Sequence, residues 1–149
     1  MATMPLTEAQ QRAVGALLQA GRLEQVQVDL PRCASFLTQA AAALGDLPNV
    51  RHPQNTYNLA YDAAHDVGEA MLAAYGYRTR QGAGQHEALA RYLAAVFDTP
   101  PENAASRHFE QMRRDRNQQR YNARQTTTAA AAAAATAAFE LHRAGTARV

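Results

Sequence analysis

Gln54–Tyr77 reads QNTYNLAYDAAHDVGEAMLAAYGY, and this stretch decides the fold. Tyr57, Tyr61, Ala64, Gly68, Met71 and Tyr75 recur at intervals of three and four residues, which sets them on one stripe of an α-helix that faces a bundle. Downstream, Gly76, Gly82 and Gly84 end this helix in a turn, and His86, Leu89, Leu93 and Val96 or Phe97 trace a fourth helix that Pro100 and Pro101 stop. A fifth is expected from about Ala104 to Tyr121 and a sixth from about Thr127 to His142, with threonines at the start to cap it. Upstream, the two prolines of Leu47–Pro53 mark a connector. Before it, a second helix starts near Asp29, with Pro31 in its first turn, and passes through Phe36, Leu37, Ala40 and Leu44 to Gly45. A short first helix spans Thr7 to Gln19, with Thr7 as N-cap and Gly21 as its stop.

The rest of the composition agrees. β-Branched residues are sparse, and no segment alternates apolar and polar residues as a half-buried strand does. The chain is 47% apolar, but much of that is alanine, with no Trp and four Phe, so its core must rely on close approach between helices. The unbroken alanine run from Ala129 to Ala135 supplies helicity and a small-residue surface. At 149 residues the chain suits one domain. The expectation is an all-α, antiparallel up-and-down bundle of about five main helices plus a short N-terminal helix. Residues 1–28 would hold the short helix and its connector, 29–143 the bundle and 144–149 a tail.

Several function classes fall away at once. Cys33 is the only cysteine, so neither an internal disulfide nor a cysteine-rich zinc site can form within one chain. The N-terminus lacks the order of a secretion signal and no apolar run nears the ~20 residues that span a bilayer, so a cytoplasmic protein without membrane contact is expected. Asp62, His65, Asp66 and Glu69 have the spacing of half a di-iron carboxylate site, but no second helix repeats the pair. No metal or cofactor is expected. Tyr57, Tyr61 and Tyr75 are read as packing residues whose hydroxyls reach a partner or the rim.

Charge is distributed unevenly. All 15 basic residues are Arg, and the net charge is +2. The interval from Arg107 to Arg124 holds six Arg against Glu110 and Asp115, a net of +4, so the remainder sums to −2. Within it, Phe109 and Met112 set an apolar stripe whose continuation by four residues brings Arg116 onto the inward face, where an aliphatic residue is the norm. An inward guanidinium needs partners: a structural ion pair, or the phosphate that its fork suits.

The order of these features resembles HEPN domains. The long aromatic helix ends in Gly76-Tyr77-Arg78, the next opens with Gly84-Gln85-His86, and the fifth carries Phe109-x-x-Met112-Arg113-x-x-Arg116-Asn117-x-x-x-Tyr121. The resemblance spans about Leu30 to Leu141. It implies a bundle that forms a homodimer, with the Arg motif of both protomers in a shared cleft. It also implies RNA or nucleotide as ligand, and a cognate antitoxin or nucleotidyltransferase-type partner in a stress or toxin-antitoxin setting. Arg113, Arg114, Arg116, Arg120, Arg124 and His86 become the expected binding residues, and Arg116, Asn117 and Tyr121 the catalytic motif.

Tyr121 departs from the family pattern, which has His there. Tyrosine has a reference pKa of about 10 and makes a poor base near neutral pH, whereas Arg116 can still stabilise phosphate charge. Residues five apart, such as Arg116 and Tyr121, also differ by ~140° around a regular helix. Their convergence would need the helix to end early, or a two-fold axis that joins two protomers. His86 is the nearest substitute base, and His65 on the third helix fares no better. Three readings follow: a binding domain with weak or no catalysis, a metal-independent ribonuclease that uses Arg116 with Tyr121 or His86, and a noncatalytic structural bundle.

Overall fold

The computed structural model describes residues 2–149, with the side chains of Arg120 and Tyr121 outside the description. Its elements in chain order are α1 (Glu8–Gln19), β1 (Leu23–Gln25), α2 (Leu30–Asp46), α3 (Pro53–Tyr75), β2 (Tyr77–Thr79), α4 (Gln85–Val96), α5 (Glu102–Asn122) and α6 (Thr128–Arg148), with one 3₁₀ turn at Leu47–Asn49. The helical bundle expected from periodicity is therefore present. No helix among the described residues is long and apolar enough to cross a membrane.

Local chemistry sets most boundaries. Thr7 caps α1 in a capping box: its Oγ1 accepts from the Gln10 amide at 3.2 Å, and its own amide donates to Gln10 Oε1 at 2.9 Å. Asp29 Oδ1 accepts from the Arg32 amide at 3.0 Å to start α2, and Thr127 Oγ1 accepts from the Ala130 amide at 3.0 Å to start α6. α3 stops at Gly76, whose φ of 82° is left-handed, and a Cβ there would also lie 2.8 Å from the Val26 carbonyl oxygen. Two constraints thus require glycine at one point.

Buried on nearly all sides, α3 is the central post. α2 runs antiparallel to it, since the Asp29 amide donates to the Ala73 carbonyl. α6 runs parallel to it, joined near its start by Thr126 Oγ1 to Gln54 Oε1 at 2.6 Å, while Gly145 near its end sits against Val67 and Met71. α5 descends antiparallel, and Tyr57 and Tyr61 of α3 meet Asp115 and Phe109.

Three expectations change. The first is strict up-and-down alternation, which fails between α3 and α4. His65, Gly68 and Met71 of α3 face His86, Leu89 and Tyr92 of α4 in the same order, so these two helices run parallel. After Gly76, β2 carries the chain back down, pairing antiparallel with β1 in the register Leu23↔Thr79, Glu24↔Arg78 and Gln25↔Tyr77. Eight residues of largely extended chain reach ~26 Å, ample to return past the ~15 Å of helix between His65 and Tyr75. Three-residue strands are too short for an alternation signal, so the sequence reading held no strands.

The second change is at the C-terminus, where α6 continues to Arg148 and residues 144–149 are no tail. Ala144 and Gly145 are buried, and Arg148 donates through Nη2 to the Val96 carbonyl at 2.9 Å and through Nη1 to the Tyr75 hydroxyl at 3.1 Å. The third is that residues 1–28 pack on the main core: Val14 and Leu23 are buried, and Gln10 Nε2 donates to Asp98 Oδ1 at 2.8 Å.

Candidate anion-binding cleft

The parallel course of α4 brings its N-terminus beside the middle of α5. Between them lies a cleft of about 460 Å³, lined by Tyr61, the Gly82-Ala83-Gly84 turn, Gln85, His86, Glu87, Arg113, Arg116 and Asn117. Arg113, Arg116 and Asn117 line it together because positions three and four apart share a helix side. Gly82 and Gly84 both have positive φ, and Gly84 is the N-cap of α4 without a side-chain cap; the Gln85 amide donates to the Gly82 carbonyl at 3.3 Å, and the first turn of this 12-residue helix borders the cleft.

Arg116 lies where the apolar stripe of Phe109 and Met112 continues. Its Cζ is 4.8 Å from the centroid of the Tyr61 ring, and Tyr61 in turn stacks on Phe109 at 5.1 Å with 13° between the planes. Phe109, Tyr61 and Arg116 thus form a layered wall, a fully buried ring supporting a buried ring supporting a half-buried guanidinium. The one ion pair of Arg116 is to Asp62 at 3.6 Å, with 35% and 58% of the two side chains exposed, which makes it a weak structural tie. Arg113 is held more firmly, its Nε and Nη2 donating to the Glu110 carboxylate at 3.0 and 2.7 Å. Those hydrogen bonds keep the Glu110 carboxyl below its usual range. At the rim, Glu87 is paired with Arg91 at 2.8 Å, so its charge is answered on the same helix.

Burial raises the Tyr61 phenol above its ordinary value, with Arg116 and Arg113 partly opposing it; at neutral pH it is a neutral donor. His86 is exposed at the mouth, and its ring centroid is 5.3 Å from that of His65. Burial first, and the charges of His86 and Arg116 after it, bring the His65 imidazole down to about 4. A neutral imidazole thus sits behind the ring of His86.

Of the residues expected from sequence, the fold gathers His86, Arg113, Arg116 and Asn117 into one cleft. Arg114 is exposed on another side of α5 and donates to Glu110 at 3.2 Å. Arg124 lies beyond the end of α5, bonds to Gln118 Oε1 at 3.1 Å and lines a separate recess with Tyr57 and Asp115. Neither belongs to this cleft: the helix carries Arg114 round to another side, and Arg124 lies past the left-handed Ala123 that ends the helix. The side chains of Arg120 and Tyr121 fall outside the described residues. α5 continues through Asn122, so an early helix end, one of the two routes to convergence of Arg116 with Tyr121, is closed.

The sequence reading took Tyr61 as a packing residue and set His65 aside as a base; the fold puts Tyr61 in the cleft wall and His65 behind it, against His86. Their spacing of four on α3 was legible, but the parallel return of α4 that turns this face into a wall was not. Among the described residues no group of three or more His, Cys, Asp or Glu side chains could hold a metal ion. A larger recess, about 840 Å³, lies beside the strand pair, but Glu24, Asp29 and Glu69 there balance Arg32, Arg78 and Arg80. It offers a phosphate no net attraction.

No family model, curated protein or solved structure matches this chain. The assignment of function therefore rests on the cleft's own chemistry and on the motif resemblance.

Proposed function

We propose that the protein binds phosphate-bearing ligands, single-stranded RNA or nucleotides, in the cleft between the α4 N-terminus and α5, as a HEPN-like domain with weak or no catalysis. The observation that carries this reading is Arg116. Its guanidinium is braced on the Tyr61 face, tied loosely to an exposed carboxylate, and lines one cleft with the first turn of α4. A guanidinium needed only for structure would be expected in a tight, shielded pair, as Arg113 is. Arg116 and Arg113 supply charge that persists at any physiological pH, Asn117 and Gln85 supply neutral hydrogen bonds, and the α4 amides favour an anion. Homodimerisation around this cleft, a cytoplasmic setting and an antitoxin or nucleotidyltransferase-type partner are carried by the HEPN resemblance.

A second reading, metal-independent RNA cleavage, draws support from the His65–His86 pair. Of the two, His86 lines the cleft and is the imidazole placed to accept a proton from a 2′-hydroxyl, a role tyrosine fills poorly.

Fluorescence anisotropy of a labelled single-stranded RNA tests the binding reading. At about 50 mM salt the wild-type protein should bind, with log K falling against log salt by about 0.7 for each phosphate contacted. Arg116→Ala, folded by circular dichroism, should lose at least about fivefold in affinity, equivalent to ~1 kcal/mol for a charged hydrogen-bonding contact. No binding by the wild-type protein, or equal binding by the variant, would sink the reading. Incubation of an RNA pool in EDTA separates the second reading, which requires cleavage that Arg116→Ala abolishes.

A further inference from the structure

His65 has no part in the binding reading, yet the fold sets it behind the cleft, against two of the rings that line it. It lies one turn beyond Tyr61 on α3, with ring centroids 6.3 Å apart, and the parallel course of α4 lays His86 against its other side at 5.3 Å. The groups that face or act on it are Tyr61 on α3, His86 on α4 and Arg116 on α5, with Asp62, Asp66 and Glu69 its neighbours along α3; Glu87 and Arg113 line the cleft in front of it, and Glu110 pairs with Arg113. Several of the acids are already engaged: Asp62 with Arg116, Glu87 with Arg91 and Glu110 with Arg113. Burial, with Asp62 and Glu69 nearby, pushes Asp66 up to about 6. The charges that act most on His65 are those of His86 and Arg116, and both oppose its protonation.

We propose that His65 is the half-buried proton acceptor behind this cleft: a phosphate seated against Arg116 and His86 draws a proton onto the His65–His86 pair, so that ligand and proton bind together. The proposal rests on the phosphate-binding reading. Two imidazoles this close to each other and to a guanidinium resist a second positive charge while the cleft holds only water. A phosphodiester brings negative charge to the same place and reverses that balance. The proton comes from solvent and adds to a ring nitrogen; no other bond forms or breaks. By linkage, if protonation tightens the phosphate, the phosphate raises the pair's affinity for protons by the same factor. The cleft then holds RNA more tightly as pH falls.

The test follows the imidazole resonances of the full chain by NMR from about pH 3.5 to 8, with and without a uridine tetranucleotide lacking terminal phosphates, whose diesters do not titrate in that range. Saturating RNA should raise the His65 midpoint by about one unit, and affinity should tighten about threefold between pH 7.5 and 4.5. His65→Gln should still bind at pH 7.5 but lose at least half of that pH dependence. If RNA binds while the His65 midpoint stays put, the proposal is overturned and the phosphate reading stands. Full pH dependence in a folded His65→Gln protein also overturns it. Absence of RNA binding at every pH in low salt overturns both. Should the variant fail to fold, the wild-type titration decides alone.

Discussion

The junction of α2, α3 and α6 and the cleft between α3, α4 and α5 are built from opposite ends of the side-chain size range. At the junction, Gly145 lets α6 approach so closely that a Cβ there would lie 3.1 Å from Val67 Cγ1, 3.4 Å from Met71 Cε and 3.6 Å from Leu37 Cδ2. The packing around Gly145 is dense and uncharged, and the groove of about 460 Å³ that lies outside it between α2 and α6 is lined mainly by apolar and small side chains such as Leu30, Cys33, Leu37 and Val149, with no Arg to meet a phosphate. On the other side, the stack of Phe109, Tyr61 and Arg116 stands between α3 and α5, and a cleft opens beside it. An alanine-rich chain has few bulky and charged side chains to place. Concentrating them on α5 and the facing side of α3 separates the part that holds the fold from the part that meets solvent and ligand.

The comparison breaks most readily at the junction. Gly145→Val should destabilise the protein by about 2–3 kcal/mol, because Val67, Met71 and Leu37 close on the position from three sides. Chemical denaturation would read this as a lower midpoint. A loss below ~0.5 kcal/mol would mean that the three helices are not packed as described. Ala133 is on the same helix but exposed, and its replacement by Leu should change stability by no more than ~0.5 kcal/mol.

The cleft side is sharper in its pH response. His65 is held at about 4, below its ordinary value near 6.5, so between those values the unfolded chain binds the extra proton and stability is lost as pH falls. Asp66 is raised to about 6 from an ordinary 3.8, so there the folded chain binds the extra proton and stability is lost as pH rises. Over about pH 4–6 the two effects oppose each other, and the wild-type protein should show a shallow profile there. His65→Gln removes one of them. Relative to wild type, this variant should gain about 1–2 kcal/mol between pH 7.5 and pH 5, measured by denaturation at both. Parallel profiles for the two proteins would contradict the half-buried, neutral His65.

Arg116→Ala should cost little stability, at most about 1 kcal/mol. Its ion pair with Asp62 is long and solvent-screened, and what is lost is mainly contact with the Tyr61 face. A structural bundle whose Arg116 was buried and paired would lose several times more.

Much of the bundle was legible because its signals are local. The three- and four-residue spacing from Tyr57 to Tyr75, Thr7 and Asp29 as caps and Gly76 as a stop need no tertiary information to be read. Arg116 was legible as an inward cation for the same reason. The parallel α4 was not, since it depends on an eight-residue return whose two short strands pair residues more than 50 positions apart, as in Leu23↔Thr79. That return places His86 on His65 and makes α3 a wall of the cleft. Helix spacing could nominate side chains for a site; only the path of the chain could assemble them. The extension of α6 past His142 was hidden similarly, because its last turns are anchored by Arg148 to Val96 and Tyr75 rather than by a cap.

The central claim is that ligand binding belongs to the cleft and leaves the small-residue junction untouched. Amide chemical-shift mapping of the full chain with a short single-stranded RNA at low salt tests it most directly. The account predicts perturbations concentrated at residues 82–87 and 113–117, with the buried positions of α2 and α6 unchanged. Perturbations centred on α2 and α6, or none anywhere at saturating RNA, would contradict it.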